Sequence, residues 1–451
     1  MDAPINQMMD RNLKTWEKWG LGFLLVFFLF FADVVLIRSA FLSRVMGDAD
    51  VFFRAGWAVR AGKNIYEVTD PNGWHYNYPP LFAISMAPLG DPPTGESRVG
   101  FLPYPVSVGI LYKISFLSLI LALFALSRAL EVTQHEAFKD LTKRKWYYLR
   151  VLALVACLAP IAHTLMRGQV NLFLLCLVCL GLSCQILGQR ISSGFFIALA
   201  ICLKIIPAFL LIVPMWRKDA RQLSGCLVGL VIGLGLIPAS VLGVEKTKDA
   251  YFDLYRVLIA PALGISNDSS RGVELNDFNS TDNHSILAFL HGVENPDLSK
   301  KPPKPAKVIK IIYLLMSLVL LGWLLWTKGQ PGAGTALEDA YFYSLALLLM
   351  VMVCPTSHSS YFLLAVPLIM TTLVFHWQQN PGSLISGGLL LGILAYGLAN
   401  AIPLLPQMEV LKRMGFCLIP NFVLFVYGMI CLGKMRALAA DQNQPLLSKA
   451  A

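Results

Sequence analysis

Leu21–Ile37 reads LGFLLVFFLFFADVVLI, a block whose one charged residue is Asp33. Such a stretch is close to the ~20 apolar residues that carry a helix across a bilayer. A mostly polar stretch precedes it, and no small-residue cleavage motif follows before Arg38. The block therefore reads as a permanent first span and not as a cleaved signal peptide. Arg11, Lys14 and Lys18 on its N-terminal side hold that end in the cytoplasm. Comparable blocks recur at Val106–Ser127, Val170–Leu187, Leu227–Leu242, Val308–Trp326 and Phe416–Leu432. Soluble cores do not repeat blocks of this length. The fold class is all-α: a polytopic membrane protein with roughly 11–12 crossing segments.

Composition agrees. Of the 451 residues, 56% are apolar and only 14% are charged, against about 25% charged in soluble domains. The net charge of +10 gathers at segment ends, as in Lys143-Arg144-Lys145, Arg217-Lys218 and Lys434/Arg436. That is the pattern that sets membrane topology, and it argues against a nucleic-acid partner. The nine cysteines lie in or beside apolar blocks. Cys176 and Cys179 form a CxxC inside a lipid-soluble segment, with no His or second CxxC at zinc-site spacing. Neither a metal nor a disulfide framework is expected.

Two regions, about 42–105 and 244–306, are too polar for lipid and too long for hairpins, and long loops in compact proteins are usually functional. The loop Arg128–Arg150 carries six Lys/Arg and is expected in the cytoplasm, which places 42–105 outside. Ser192–Trp216 then decides the rest. Lys204 and Pro207 sit at its middle, where a charge and a helix breaker are both costly. A pair of short segments turning at Lys204–Pro207 removes both costs and brings 244–306 to the same external side. Broken helices are tolerated where they line a cavity. Against this topology, Lys300, Lys301, Lys304, Lys307 and Lys310 then lie at the external end of a span. Residues 1–436 form one transmembrane domain, and 437–451 are expected as a disordered cytoplasmic tail.

The first external region opens with Asp48-Ala49-Asp50-Val51-Phe52-Phe53. Paired Asp residues suit a helix start, and equally a carboxylate general base in an apolar setting. Tyr66 follows, then Trp74, His75, Tyr76 and Tyr78 before Pro79-Pro80. Such aromatics serve as interfacial anchors or as stacking surfaces for a sugar ring, and these residues alone do not choose between the two. Arg167-Gly168-Gln169-Val170-Asn171 forms a short turn between two apolar blocks. Lys204, an ammonium group in an apolar segment, is a functional candidate by its cost, with a lipid-linked phosphate as a suitable partner. Asp282-Asn283-His284-Ser285 lies in the second region. Cys354-Pro355-Thr356-Ser357-His358 lies between spans, where His358 and the hydroxyls suit binding or protonating a phosphate.

In this order the stretches resemble glycosyltransferase family 87, the polyprenol-phosphate-mannose-dependent α-mannosyltransferases of the GT-C superfamily. The matching elements are Asp48–Phe53, Gly62-Lys63-Asn64-Ile65-Tyr66, Tyr78-Pro79-Pro80, the turn Gly168-Gln169-x-Asn171, and Lys204-x-x-Pro207. Asn283-His284-Ser285 matches Asn-Gln-Ser with His in the Gln position. Cys354–His358 matches Ser-Pro-x-Ser-Trp with His358 in the Trp position, and Ser360 and Tyr361 stand at the following His positions. The resemblance covers about residues 45 to 370 and implies a GT-C-type fold. It also implies inverting transfer of a sugar, mannose by family, from a polyprenyl-phosphate donor to an extracytoplasmic glycan or glycolipid acceptor, at the outer side of the plasma (inner) membrane. Asp48 stands at the catalytic-base position and Asp50 is the second candidate. Lys204, Arg167 and His358 are implied contacts of the leaving phosphate. Gln169, Asn171, Asn283, Ser285, Tyr66 and Tyr78 complete the implied substrate site. No cofactor and no metal are implied, since the phosphate arrives attached to its lipid and basic side chains can hold it.

Two other classes remain open at the level of residues. An intramembrane lysine in a broken pair suits a secondary transporter, although no inverted repeat is visible. A non-catalytic subunit of an envelope-assembly machinery is the other.

Overall fold

The computed structural model describes residues 13–42, 46–133, 143–262, 278, 280, 282–296, 301–302, 304–329, 334–380, 383–402, 405–408, 411–412 and 416–443. Among them there are helices and two isolated antiparallel bridge pairs, Thr69 with His75 and Asn283 with His358. We label the helices α1 (Thr15–Ala40), α2 (Asp48–Ala61), α3 (Pro80–Met86), α4 (Tyr104–Thr133), α5 (Lys143–Ala156), α6 (Leu158–Arg167), α7 (Asn171–Ile186) and α8 (Arg190–Leu203). There follow α9 (Ala220–Leu242), α10 (Val244–Leu254), α11 (Ile286–Glu294), α12 (Lys307–Lys328), α13 (Ala336–Val353), α14 (Val366–Gln379), α15 (Gly387–Ala401) and α16 (Leu418–Asn443).

Among the described residues, seven helices are long and apolar enough to cross a membrane, or eight with the bent pair α5–α6. The shorter apolar helices α7, α8 and α15 have 16, 14 and 15 residues. The 60° bend between α5 and α6 has a local cause. Pro160 lacks an N–H, and its ring collides with the carbonyl four residues back, at Ala156. Burial sorts the bundle. In α13 and in the stretch Ser359–Gln379 nearly every side chain is buried, whereas α1 and α12 present Phe23, Phe30, Leu314 and Val319 outward. The first two are the centre and the last two face lipid. The final helix α16 continues past Ala437 to Asn443, a run rich in Ala and Leu that favours helix. The expected tail is thereby shortened, and residues 444–451 lie outside the described residues.

The segment after α8 turns back. Lys204 is extended (φ −152°, ψ 130°), and a 3₁₀ turn Ile206–Leu211 and a short helix Ile212–Trp216 follow. Arg190 at the start of α8 then meets Asp219, before α9, at 3.3 Å. Two ends that touch cannot bracket a full crossing, so 190–219 is a hairpin with Lys204 near its tip. Helix α9 then runs beside α8 in the same direction. A Cβ on Gly194 would lie 1.9 Å from the Gln222 carbonyl oxygen, and one on Gly225 would lie 2.0 Å from that of Ile191. Only glycine permits this backbone approach.

The hairpin fixes which helix ends share a face. Asp48, Arg167, Asn171, Lys204, Asn283 and His358 lie at one end of the bundle, with the described parts of 41–103 and 243–306 folded there. The Lys-rich start of α12 lies at the same end. The opposite end carries buried ion pairs: Arg144 with Glu17 at 2.8 Å, Lys328 with Glu338 at 2.8 Å, and Arg217 with Asp339 at 2.6 Å. Of the basic stretch 128–150, the described residues Arg128, Arg144 and Arg150 belong to that opposite end.

Candidate active site

The site is built on the first turn of α2. Arg167, the last residue of α6, donates from Nε to Asp48 Oδ2 at 2.8 Å, and Gln169 Nε2 donates to the same oxygen at 3.0 Å. Among the described residues nothing donates to Asp48 Oδ1. Gly168 makes this possible. It has φ +65°, and a Cβ there would sit 2.5 Å from the Ala49 side chain. A left-handed turn without a side chain lets the α6–α7 connection rest on α2.

The chain of polar contacts continues inward. Asn171 Nδ2 donates to Gln169 Oε1 at 2.6 Å and to Ser360 Oγ at 3.2 Å, and Ser360 Oγ donates to Gln169 Oε1. Lys204 Nζ donates to Asn171 Oδ1 at 3.3 Å. The ammonium also lies 3.8 Å from the centroid of the Tyr361 ring and 5.5 Å from that of Tyr78. Lys204 is buried, and among the described residues it has no carboxylate partner. Three hydrogen bonds thus connect a carboxylate to a buried cation.

His358 closes one side, edge-on to Tyr361 with ring centroids 5.6 Å apart and Nδ1 3.2 Å from the Asp282 carbonyl oxygen. Burial, followed by the nearby Arg167 charge, pushes its pKa below the ordinary imidazole range, which favours the neutral ring at pH 7. Burial pushes His284 down to about 3, and its backbone N–H donates to the Ser357 carbonyl at 2.6 Å. Burial tends to raise Asp282, but Lys412 at 3.4 Å, helped by His163 and His284, holds it below the usual carboxylate range.

Other sequence candidates stand one layer back. Asp50 is buried with both oxygens engaged: Tyr104 OH donates at 2.6 Å and the Gly47 N–H at 3.1 Å. Burial raises it to about 6. It ties the start of α2 to α4. Tyr66 donates its OH to the Tyr78 carbonyl at 2.9 Å and so braces Tyr78. Ser285 caps α11 through the Ala288 N–H, and both Ser285 and Asn283 donate to the Pro355 carbonyl, at 2.8 and 3.3 Å. These two clamp the 354–358 loop that carries His358.

The structure adds residues that the sequence reading passed over. His163 Nδ1 lies 2.7 Å from Ser359 Oγ. It sits four residues before Arg167 in one helix, which places the two on one face. That spacing was the available signal. Lys412, beside Asp282, had none.

A family model described as Glycosyltransferase family 87 matches residues 76–355. No curated protein matches the chain. Among solved structures, ArnT from Cupriavidus metallidurans bound to undecaprenyl phosphate aligns with a TM-score of 0.37 and 13% identity, over 95% of this chain and 81% of that one. That likeness is too low to carry an argument. The family match spans more than half of the sequence, from the aromatic cluster through the Arg167 turn and Lys204 to Pro355, and on this ground the chain belongs to glycosyltransferase family 87.

Proposed function

We propose that this glycosyltransferase moves a sugar, mannose by its family, from a polyprenyl-phosphate donor to an extracytoplasmic glycan or glycolipid acceptor. Membership of a glycosyltransferase family sets aside the transporter and assembly-subunit readings. The observation that carries the proposal is one pair of groups at one end of a membrane bundle. Among the described residues, Asp48 has one oxygen held by two donors and one oxygen free, and Lys204 is a buried ammonium with no carboxylate partner. A buried charge without a partner is costly, and the anionic phosphodiester of a lipid-linked sugar meets that need from within the membrane.

In the reaction, Oδ1 of Asp48 takes the proton of the acceptor hydroxyl, whose oxygen attacks the anomeric carbon. The bond from that carbon to the phosphate oxygen breaks, and its electron pair leaves with the polyprenyl phosphate. Configuration inverts, so a β-linked donor gives an α product. Negative charge builds on the leaving phosphate beside Lys204. A charge fixed where charge develops stabilises the transition state more than the ground state. Arg167 uses Nε on Asp48 and keeps its other N–H groups without a protein acceptor among the described residues. Neutral His358 spends its one N–H on the Asp282 carbonyl, so Nε2 donates to a phosphate oxygen only once the ring is protonated, a state that a bound phosphate anion favours. Asp50 holds the start of α2, and Asn171 and Gln169 keep Asp48 and Lys204 in register.

The test is incubation of the purified protein with separate polyprenyl-phosphate sugars and a membrane glycolipid extract, followed by mass spectrometry. Transfer of one sugar with release of polyprenyl phosphate is expected. Transfer from nucleotide sugars alone would overturn the proposal.

A further inference from the structure

Away from Asp48, at the opposite side of the bundle, a cavity of about 560 Å³ lies between α14, α15 and α16, and one of about 470 Å³ lies between α14 and α16. They share Thr372, His376 and Tyr427 as walls and so form one continuous groove. Its larger part is lined mainly by apolar groups, among them Ile369, Ile393 and Val423. Its other part adds the polar groups Gln379, Asn380 and Lys434 to the apolar Phe375, Ile430 and Leu438.

The groove exists because α15 is short. Its 15 residues extend about 22 Å, against a hydrocarbon core of about 30 Å. Below its N-terminal end, α14 and α16 continue without it. Gly388 and Gly392 face the larger cavity, and a Cβ on either would meet nothing within 4 Å. The wall is therefore hollowed where side chains would otherwise fill it. The polar groups of the bundle beside the groove are internally paired. Tyr396 OH donates to Asn421 at 2.7 Å, and Asn421 donates to Asn400 at 3.2 Å.

The polar end is one-sided in charge. Lys434 is exposed and has no ion-pair partner among the described residues, and none of the residues lining either cavity is acidic. An apolar trough inside the membrane that ends in cationic and amide groups matches one kind of molecule, a phospholipid with an anionic headgroup. We propose that the groove between α14, α15 and α16 holds an anionic phospholipid, with its acyl chains along Ile369, Gly392 and Val423 and its headgroup at Lys434. Because that end is opposite Asp48, the lipid belongs to the other leaflet from the reaction. A juxtamembrane Lys near an anionic headgroup changes affinity about fivefold.

Native mass spectrometry of the full chain, released from micelles containing equal phosphatidylglycerol and phosphatidylcholine, tests this. Wild type is expected to retain phosphatidylglycerol in preference. K434A should lower that preference about fivefold. G392L, whose Cβ would meet nothing within 4 Å and whose side chain would occupy the cavity, should remove the retained lipid. Equal adducts in wild type and G392L would overturn the proposal, as would a preference unchanged in K434A. A wild-type dimer dissociated by G392L would place a second copy in the groove and overturn it too. Should G392L not fold, the exposed K434A variant decides alone.

Discussion

Arg167 Nε donates to Asp48 Oδ2 at 2.8 Å across 119 residues of sequence. The contact joins the end of one membrane helix to the start of the first helix beyond α1, and it leaves Oδ1 as the free face of the carboxylate. Gly168 lets the two segments approach. Gly168→Ala is expected to misplace Arg167 and Gln169 together, since its Cβ would meet Ala49 at 2.5 Å and its φ of +65° disfavours a side chain by about 1–2 kcal/mol. Transfer should fall by about 100-fold, the scale of an ångström-sized misplacement, with a lowered melting temperature. Wild-type kcat in this variant would show that the turn does not position Asp48.

Lys204→Met removes the charge and keeps the length. Donor binding should weaken, by tenfold or more if the ammonium meets the phosphate as a charge-assisted hydrogen bond of about 1.5–3 kcal/mol. Acceptor KM should change little. Equilibrium binding of a polyprenyl phosphate separates the two, and an unchanged donor affinity would reduce Lys204 to a packing residue.

How far all this was legible depended on cost. Lys204, Arg167, Asp48, Gln169 and Asn171 were readable because charges and amides at the edge of apolar blocks need a reason, and the structure brings them into one network. The hairpin at Lys204 was readable for the same reason, from a charge and a proline in mid-segment. Support roles were not readable. The resemblance makes Asn283, Ser285 and Tyr66 substrate contacts, and in the structure each also hydrogen-bonds a backbone carbonyl and holds a loop or ring in place. Asp50 and Asp48 are two residues apart and differ only in what reaches them from α4 and α6, which spacing does not reveal. The pairing of His163 with Ser359 depends on helix packing between distant segments.

Asp50 gives a pH prediction. Burial raises it to about 6, above its unfolded value of about 3.9. Between these values the folded state binds more protons than the unfolded one, so this group makes stability fall as pH rises. Asp50→Asn loses the bond from the Gly47 N–H but carries no charge. Its stability deficit relative to wild type should therefore shrink from about pH 4 to about pH 7. Parallel melting curves check this, and a deficit that grows with pH would contradict the assignment.

The shared face of 41–103 and 243–306 predicts a labelling pattern. Single cysteines at the exposed positions Ser97 and Glu294 should react with an impermeant thiol reagent from the same side, and one at Gln189 from the other. The proposed extracytoplasmic site requires that the first two label in intact cells. Half-buried Cys184 and Cys354 are replaced first to clear the background. Labelling of Ser97→Cys and Glu294→Cys from opposite sides would separate the two long segments and remove the site.

The central claim is that Asp48 accepts the proton from the acceptor. Asp48→Asn keeps the size of the side chain, and Asp50→Asn tests the neighbouring carboxylate by the same change. Sugar transfer is measured for both, beside equilibrium binding of the donor lipid. The account predicts that Asp48→Asn loses about 10²–10⁴-fold in rate, the range for a positioned base, with donor binding retained, while Asp50→Asn loses stability before it loses chemistry. Full transfer by a folded Asp48→Asn protein would contradict it.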